Sequence, residues 1–306
     1  MNILVTGGAG FIGSHVVEQF HATDTVTVLD NFRSGFSHNL QGLRARIVQG
    51  SVTDRSVVDD LLRGVDYVFH LAALVSVPES MEKPGEAVAI NVQGTLNILE
   101  AARTHKVKKV VISSSAAIYG NNPDVPKRET MLPEPRSPYA ITKLDDEYYG
   151  RMFTEDFGVP VVALRYFNVF GPRQNPRSQY AAAVPIFIER CLAGKDLVIH
   201  GDGEQTRDFI YVKDVVAANA LAASSGATGV FNIACGKSMS INALAETLKN
   251  LTGSSSRIVH AGERSGDVKH SLAATEKANQ TLNFAPSHTL EQGFAETIAW
   301  MRSRKA

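Results

Sequence analysis

The chain has 306 residues, 44% hydrophobic and 20% charged, the balance of a globular protein with a real core and room for two domains. Its 31 basic residues cancel its 31 acidic ones and no basic run occurs, so nothing electrostatic points to nucleic acid or an anionic membrane. Met1–Val5 leads directly into a strand, and no apolar stretch is long enough to span a bilayer, so a cytoplasmic protein is expected.

In chain order, Ile3–Thr6, Thr25–Leu29, Arg46–Val48, Tyr67–Phe69, Val110–Ser113 and Val161–Leu164 read as strands. Most are continuous apolar runs, as parallel strands buried on both faces require. Helical patterns lie between them, notably over Glu86–Thr104 and Tyr139–Phe157. Strands alternating with helices predict an α/β fold, a doubly wound parallel sheet of the Rossmann type. Beyond Arg165 the pattern loosens. The segment Gly171-Pro172-Arg173-Gln174-Asn175-Pro176 is a loop by composition, and helices are predicted near Ala183–Leu192, Ile241–Leu251 and Leu290–Met301. Phe209–Val212 and Val230–Ala234 read as strands that return to the first sheet. The expected division is therefore 1–165 plus roughly 209–235 for the sheet domain, and 166–208 plus 236–306 for a smaller mixed α/β substrate domain. Along 139–157, Ile141, Leu144, Tyr148 and Met152 form one apolar stripe and Tyr149 and Phe153 widen it. One stripe covers the sheet; the remainder predicts a homodimer through helices 86–104 and 139–157. Cys191 and Cys235 lack metal-type spacing and read as reduced thiols, and no metal site is expected.

The first strand runs into Gly7-Gly8-Ala9-Gly10-Phe11-Ile12-Gly13 and then a helix beginning near Ser14. Glycines at this spacing let the backbone turn tightly and approach a pyrophosphate, which the helix amino terminus then faces with free N–H groups. Asp30 ends the second strand, placed to accept bonds from the ribose hydroxyls of adenosine. A carboxylate there repels a 2′-phosphate, which favours NAD over NADP, although Arg33 stands close by. Tyr139-Ala140-Ile141-Thr142-Lys143 puts Tyr139 and Lys143 on one helical face. An ammonium beside a phenol favours the phenolate, and such a pair can exchange a proton with a sugar hydroxyl while a hydride moves. Ser113-Ser114-Ser115 closes a parallel strand at its carboxyl end, where doubly wound sheets bind their ligands; a hydroxyl there can bond the reacting oxygen.

These segments, with His70-Leu71-Ala72-Ala73, Asn91-Val92-Gln93-Gly94-Thr95 and Arg165–Pro172, resemble the extended short-chain dehydrogenase/reductase family, in order over nearly the whole chain. Gly201–Phe209 and Gly266-Asp267-Val268 resemble its nucleotide-sugar members, nearest the UDP-hexose 4-epimerases. The resemblance implies that Tyr139 is the acid/base, Lys143 its partner and the nicotinamide-ribose anchor, and Ser115 the hydroxyl that orients the sugar's 4-oxygen. It implies NAD held by Gly7, Gly10, Phe11, Ile12, Gly13, Asp30, Asn31, Ser34, Gly35, Ser51, Val52, Leu71, Ala72, Ala73, Ser113 and Tyr166. It implies a UDP-sugar held by Asn168, Gln174, Arg207, Arg264, Asp267 and Ser271, with the two arginines at the phosphates.

Two positions depart from the pattern. Gly50-Ser51-Val52 stands where the family often has Gly-Asp followed by Ile or Leu, and Val75 stands where many UDP-galactose epimerases carry lysine. Ala116-Ala117 replaces the Asp-Glu pair of the 4,6-dehydratases, which need an additional acid and base; the glutamate common in UDP-glucuronate decarboxylases is also absent there. A 4-epimerase is therefore expected. Ser271 falls at the gate of the family's sugar pocket, where a tyrosine goes with UDP-glucose and UDP-galactose alone and a small residue with N-acetylated sugars. UDP-glucuronate 4-epimerase, another nucleotide-sugar oxidoreductase or decarboxylase, and a non-catalytic NAD sensor are the alternatives.

Overall fold

The computed structural model describes residues 1–176, 182–263 and 269–304. The strands of its first half are β1 (Asn2–Thr6), β2 (Thr25–Asp30), β3 (Arg46–Gln49), β4 (Tyr67–His70), β5 (Lys109–Ser115) and β6 (Val161–Tyr166). They are followed by β7 (Asn168–Phe170), β8 (Leu197–His200), β9 (Thr206–Arg207), β10 (Phe209–Tyr211), β11 (Gly229–Ile233), β12 (Met239–Ser240) and β13 (Ile258–Ala261). The helices are α1 (Phe11–Phe20), α2 (Arg55–Leu62), α3 (Val77–Glu82), α4 (Pro84–Ala87), α5 (Gly94–His105) and α6 (Pro138–Phe157). Then come α7 (Ala183–Leu192), α8 (Val212–Ser224), α9 (Ile241–Thr252), α10 (Glu276–Leu282) and α11 (Leu290–Ser303).

Seven strands form one parallel sheet in the order β11-β6-β5-β4-β1-β2-β3. Alternate side chains of each strand feed opposite cores, as the two-residue period dictates. Ile3 and Val5 pack with α1, α8 and α10, whereas Leu4 packs with α2, α5 and α6. The chain runs outward from β1 through β2 and β3, then returns to lay β4 on the other side of β1. Their carboxyl ends part at that switch point and open a crevice.

All seven sheet strands stand where the sequence pattern puts them, β11 answering to the strand expected over Val230–Ala234. The expectation for Phe209–Val212 is corrected: β10 pairs with β7 outside the main sheet, and Val212 opens α8. The reason is length. Three residues pair with the short run just after β6, leaving the place beside β6 to β11. Helix α1 also begins three residues earlier than expected, at Phe11.

A second core gathers α7, α9 and α11 with β8 and β10, around Phe170, Phe187, Leu244, Phe294 and Ile298. It faces the carboxyl edge of the sheet, so the wall between the two cores is where the site lies. Cys191 and Cys235 are free thiols. No helix among the described residues is long and apolar enough to cross a membrane.

Candidate active site

A cleft of about 1720 Å³ runs along the carboxyl ends of β1, β2, β4 and β5 and up to the second core. At its base the chain turns at Gly7, whose φ of +69° suits glycine, and a Cβ there would sit 2.7 Å from the Ala72 nitrogen. A Cβ on Gly13 would sit 2.1 Å from the Gly7 carbonyl oxygen. Neither position admits a side chain, and the closeness they permit seats the first turn of α1 at the crevice. Gly10 precedes that turn without a side-chain cap, so the N–H groups of the helix start are left to a ligand.

Asp30 is nearly buried and accepts the Ala9 N–H at 2.9 Å and the Phe32 N–H at 2.8 Å. Each oxygen keeps a further lone pair, so the carboxylate is held rigidly while still able to accept from a ribose diol. Arg33, which weakened the choice of NAD in the sequence, pairs with Glu79 at 2.6 Å and also with Glu86. Its charge is thus offset by two carboxylates. Asn31, Ser34, Gly35, Ser51, Val52, Leu71, Ala72 and Ala73 line the same end of the cleft with Phe11 and Ile12. Ser51 bonds Thr53 at 2.8 Å, a neutral pair in the place of the family's carboxylate.

Tyr139, Lys143, Ser113 and Ser115 line the middle of the cleft. Ser137 caps α6 by accepting the Ala140 N–H at 3.2 Å, and Pro138 starts the helix, which fixes where Tyr139 begins its turn. Ser80 accepts the Tyr139 N–H at 3.1 Å, and the Thr142 hydroxyl donates to the Tyr139 carbonyl at 2.8 Å. Strand alternation separates the three serines. Ser114 turns away and donates to the buried Glu147 at 2.6 Å, whereas Ser115 accepts the Ala117 N–H at the cleft wall.

Beneath these groups runs a buried chain of hydrogen bonds. The Ala72 N–H donates to the Thr6 hydroxyl at 3.2 Å, which donates in turn to His70 Nδ1 at 2.7 Å. His70 Nε2–H reaches the Thr95 hydroxyl at 3.0 Å, and that hydroxyl donates to the Asn91 carbonyl at 2.6 Å. The order of donors leaves His70 one tautomer, protonated on Nε2. Burial, with the Lys143 ammonium nearby, pushes its pKa down to about 3, so the ring is neutral. The Asn91 side chain accepts the Leu74 N–H at 2.7 Å and donates to Thr142 at 2.9 Å, tying the loop after β4 to α6. It projects from a π-helical turn over Val88–Gln93, a geometry frequent at functional sites.

At the far end, Asn168, Gln174, Arg207 and Ser271 line the cleft. Asn168 donates to the Asp208 carbonyl at 3.0 Å, and Gln174 donates to the Val169 carbonyl at 3.1 Å. Tyr166 also lines the cleft, and its hydroxyl donates to Asn219 of α8 at 3.0 Å, leaving ring and backbone for the cleft. Ser271 is pinned. Its N–H donates to the Thr206 carbonyl at 3.1 Å, and Lys127 brackets the following residues through Leu272 and Ala274. The buried Asp208 accepts the N–H groups of Cys235, Gly236 and Ala273 at 2.9–3.1 Å. Burial pushes its carboxyl up to about 6 against those bonds. Arg264 and Asp267, with the rest of Gly266-Asp267-Val268, lie outside the described residues.

A model of the NAD dependent epimerase/dehydratase family matches residues 3–234. The chain belongs to that family. Among solved structures it is similar to the UDP-N-acetylglucosamine 4-epimerase of Methanobrevibacter ruminantium M1 in complex with UDP-N-acetylmuramic acid. That pair shares 44% identity over 99% of this chain and 98% of the other, with a TM-score of 0.96. It is also similar to the UDP-glucose 4-epimerase of Thermotoga maritima with UDP-glucose, at 42% identity over the full length of both chains and a TM-score of 0.96. A UDP-N-acetyl-alpha-D-glucosaminuronate decarboxylase of Bacillus cytotoxicus is 37% identical, covering 98% of this chain and 97% of that protein. The cofactor of the family is NAD, and the side-chain-free cradle at Gly7 and Gly13, the uncapped start of α1 and the held carboxylate of Asp30 fit its adenosine diphosphate half.

Sequence reasoning assigned no task to Asn91, Thr95, Thr142 or Asp146. Asn91 and Thr95 stand in a quoted motif, but burial and hydrogen-bond order are not visible in spacing.

Proposed function

We propose that the protein is an NAD-dependent 4-epimerase of UDP-hexoses, acting on UDP-GlcNAc and UDP-GalNAc as well as UDP-Glc and UDP-Gal through a 4-keto sugar. The observation that carries this reading is that Ser115, Tyr139 and Lys143 line the same cleft as Gly7, Gly10 and Gly13. NAD supplies a hydride acceptor that is regenerated each cycle. Tyr139 takes the proton of the sugar's 4-hydroxyl and later returns it to the keto oxygen. Ser115 orients that oxygen by a hydrogen bond. Lys143 holds the nicotinamide ribose beside Tyr139. Arg207 and Arg264 hold the UDP phosphates, with Asp267, Gln174 and Asn168 beside the nucleotide and sugar. A firmly held UDP leaves the keto hexose free to turn over and accept the hydride on its other face.

Ala116 and Ala117 line the cleft just beyond Ser115, where elimination of water would need an acid and a base. Their methyl groups favour epimerisation over dehydration. The decarboxylase among the relatives makes a uronate the second reading, to be weighed in the same assay. In this reading 1–165 plus roughly 209–235 hold the cofactor, and 166–208 plus 236–306 hold the substrate. Ile141 and Tyr148 expose about half of their surface on α6, and Val88 does so beside it. That apolar strip is the proposed homodimer interface of a cytoplasmic enzyme.

Ser271 supports the wider sugar range, because turning the hexose sweeps its C2 substituent past this wall. Ser271→Tyr is expected to lower turnover of the N-acetylated pair about 10- to 100-fold, the span of a steric misfit in a pocket, while sparing UDP-Glc and UDP-Gal. Both proteins are assayed by product NMR with both pairs and with UDP-glucuronate. An unmodified enzyme inert toward UDP-GalNAc removes the gate argument. Conversion of the uronate alone favours the second reading.

A further inference from the structure

Helix α6 carries a charged pair in its buried face. Asp146 Oδ2 accepts from Lys143 Nζ at 3.2 Å, with the lysine 2% and the aspartate 0% exposed. The other oxygen, Oδ1, has no hydrogen-bond partner among the described residues. Thr95 of α5 stands beside the carboxylate as a hydrogen-bonding neighbour that favours its charged form, and the same hydroxyl reaches the Asn91 carbonyl at 2.6 Å. Asp145 is next to it on α6, and His70 of β4 is within electrostatic reach of Lys143 but neutral. The balance of charge at the inner end of Lys143 is therefore set by one carboxylate.

We propose that Asp146 is a positioning residue acting through Lys143. It holds the ammonium from the core side and offsets its charge, so that the cationic ring of NAD⁺ is accepted beside it. The inference rests on the reading of Lys143 as the nicotinamide-ribose anchor. An ammonium has three donors; one goes to Asp146, which directs the other two toward the cleft. Without the carboxylate, an uncompensated positive charge faces a positive ring, and the neutral ring of NADH is unaffected by that repulsion.

Asp146→Asn keeps the shape and an acceptor while removing the charge. Affinities for NAD⁺ and NADH are measured by calorimetry on protein freed of cofactor, with no sugar present. The ratio Kd(NAD⁺)/Kd(NADH) is expected to rise about tenfold or more in the variant, the effect of one charge roughly 10 Å away at an effective dielectric near 20. Burial pushes the Asp146 carboxyl up to about 6, against the pull of Lys143, so the carboxylate is lost as pH falls through that value. The unmodified protein should accordingly show the same ratio rising on the acid side, and the variant a flat one. An unchanged ratio in the variant overturns the proposal, as does a flat profile in the unmodified protein. Both affinities falling together at a constant ratio mark a structural role and overturn it too. Because no sugar enters the measurement, a failure of the epimerase reading shows in turnover and not here.

Discussion

Tyr139→Phe is expected to lower turnover of UDP-hexoses by about 10²–10⁴, the span of a general acid–base group. The phenol lies on the cleft wall with Ser115 and Lys143, and the variant loses one oxygen from a half-buried side chain. The backbone bonds that seat it, to Ser80 and Thr142, use its N–H and carbonyl and survive the change. NAD affinity and the unfolding midpoint should therefore stay near those of the unmodified protein. Steady-state kinetics with a cofactor titration check this. Near-normal turnover would show that the proton moves by another route.

Glu147→Ala is expected to destabilise the fold by about 3–5 kcal/mol, the usual cost of stranding one partner of a buried ion pair. Glu147 receives Arg165 Nε at 2.8 Å and Nη2 at 2.6 Å, and both side chains are at least 96% buried. It also accepts from Ser114 at 2.6 Å, so α6, β5 and β6 meet at this carboxylate directly behind the serine run. Removing it leaves a guanidinium facing the ring of Tyr119, 4.8 Å from its centroid, with no anion. Urea unfolding of both proteins measures the difference; a change under about 1 kcal/mol would contradict the assignment.

The parallel sheet was legible because most of its strands are continuous apolar runs, and the glycine cradle because few residues tolerate such closeness. Helix α6 was harder to read. Of its apolar stripe, Ile141 and Tyr148 are exposed and Leu144 and Met152 are half-buried, while Thr142, Lys143, Asp146, Glu147, Gly150 and Phe153 are buried. A pattern of hydrophobicity cannot find a face whose charges are paired inside the protein. Arg33 was ambiguous for a related reason: the carboxylates that engage it come from 79 and 86, far along the chain. The short strands β7, β9, β10 and β12 span two or three residues, too few to show a period. Ser271 was placed by counting from a motif, and its anchorage by Thr206 and the Lys127 segment is a matter of distant partners.

A UDP-hexose bearing deuterium at C4 tests the hydride cycle most directly. Incubated with the protein in ordinary water and followed by NMR, it should yield the C4 epimer with the label retained at C4. Retention follows if hydrogen leaves carbon 4 for the cofactor and returns to the same carbon while Tyr139 handles only the hydroxyl proton. An epimer whose label has exchanged with water, or labelled UDP-hexose recovered without inversion, would contradict it.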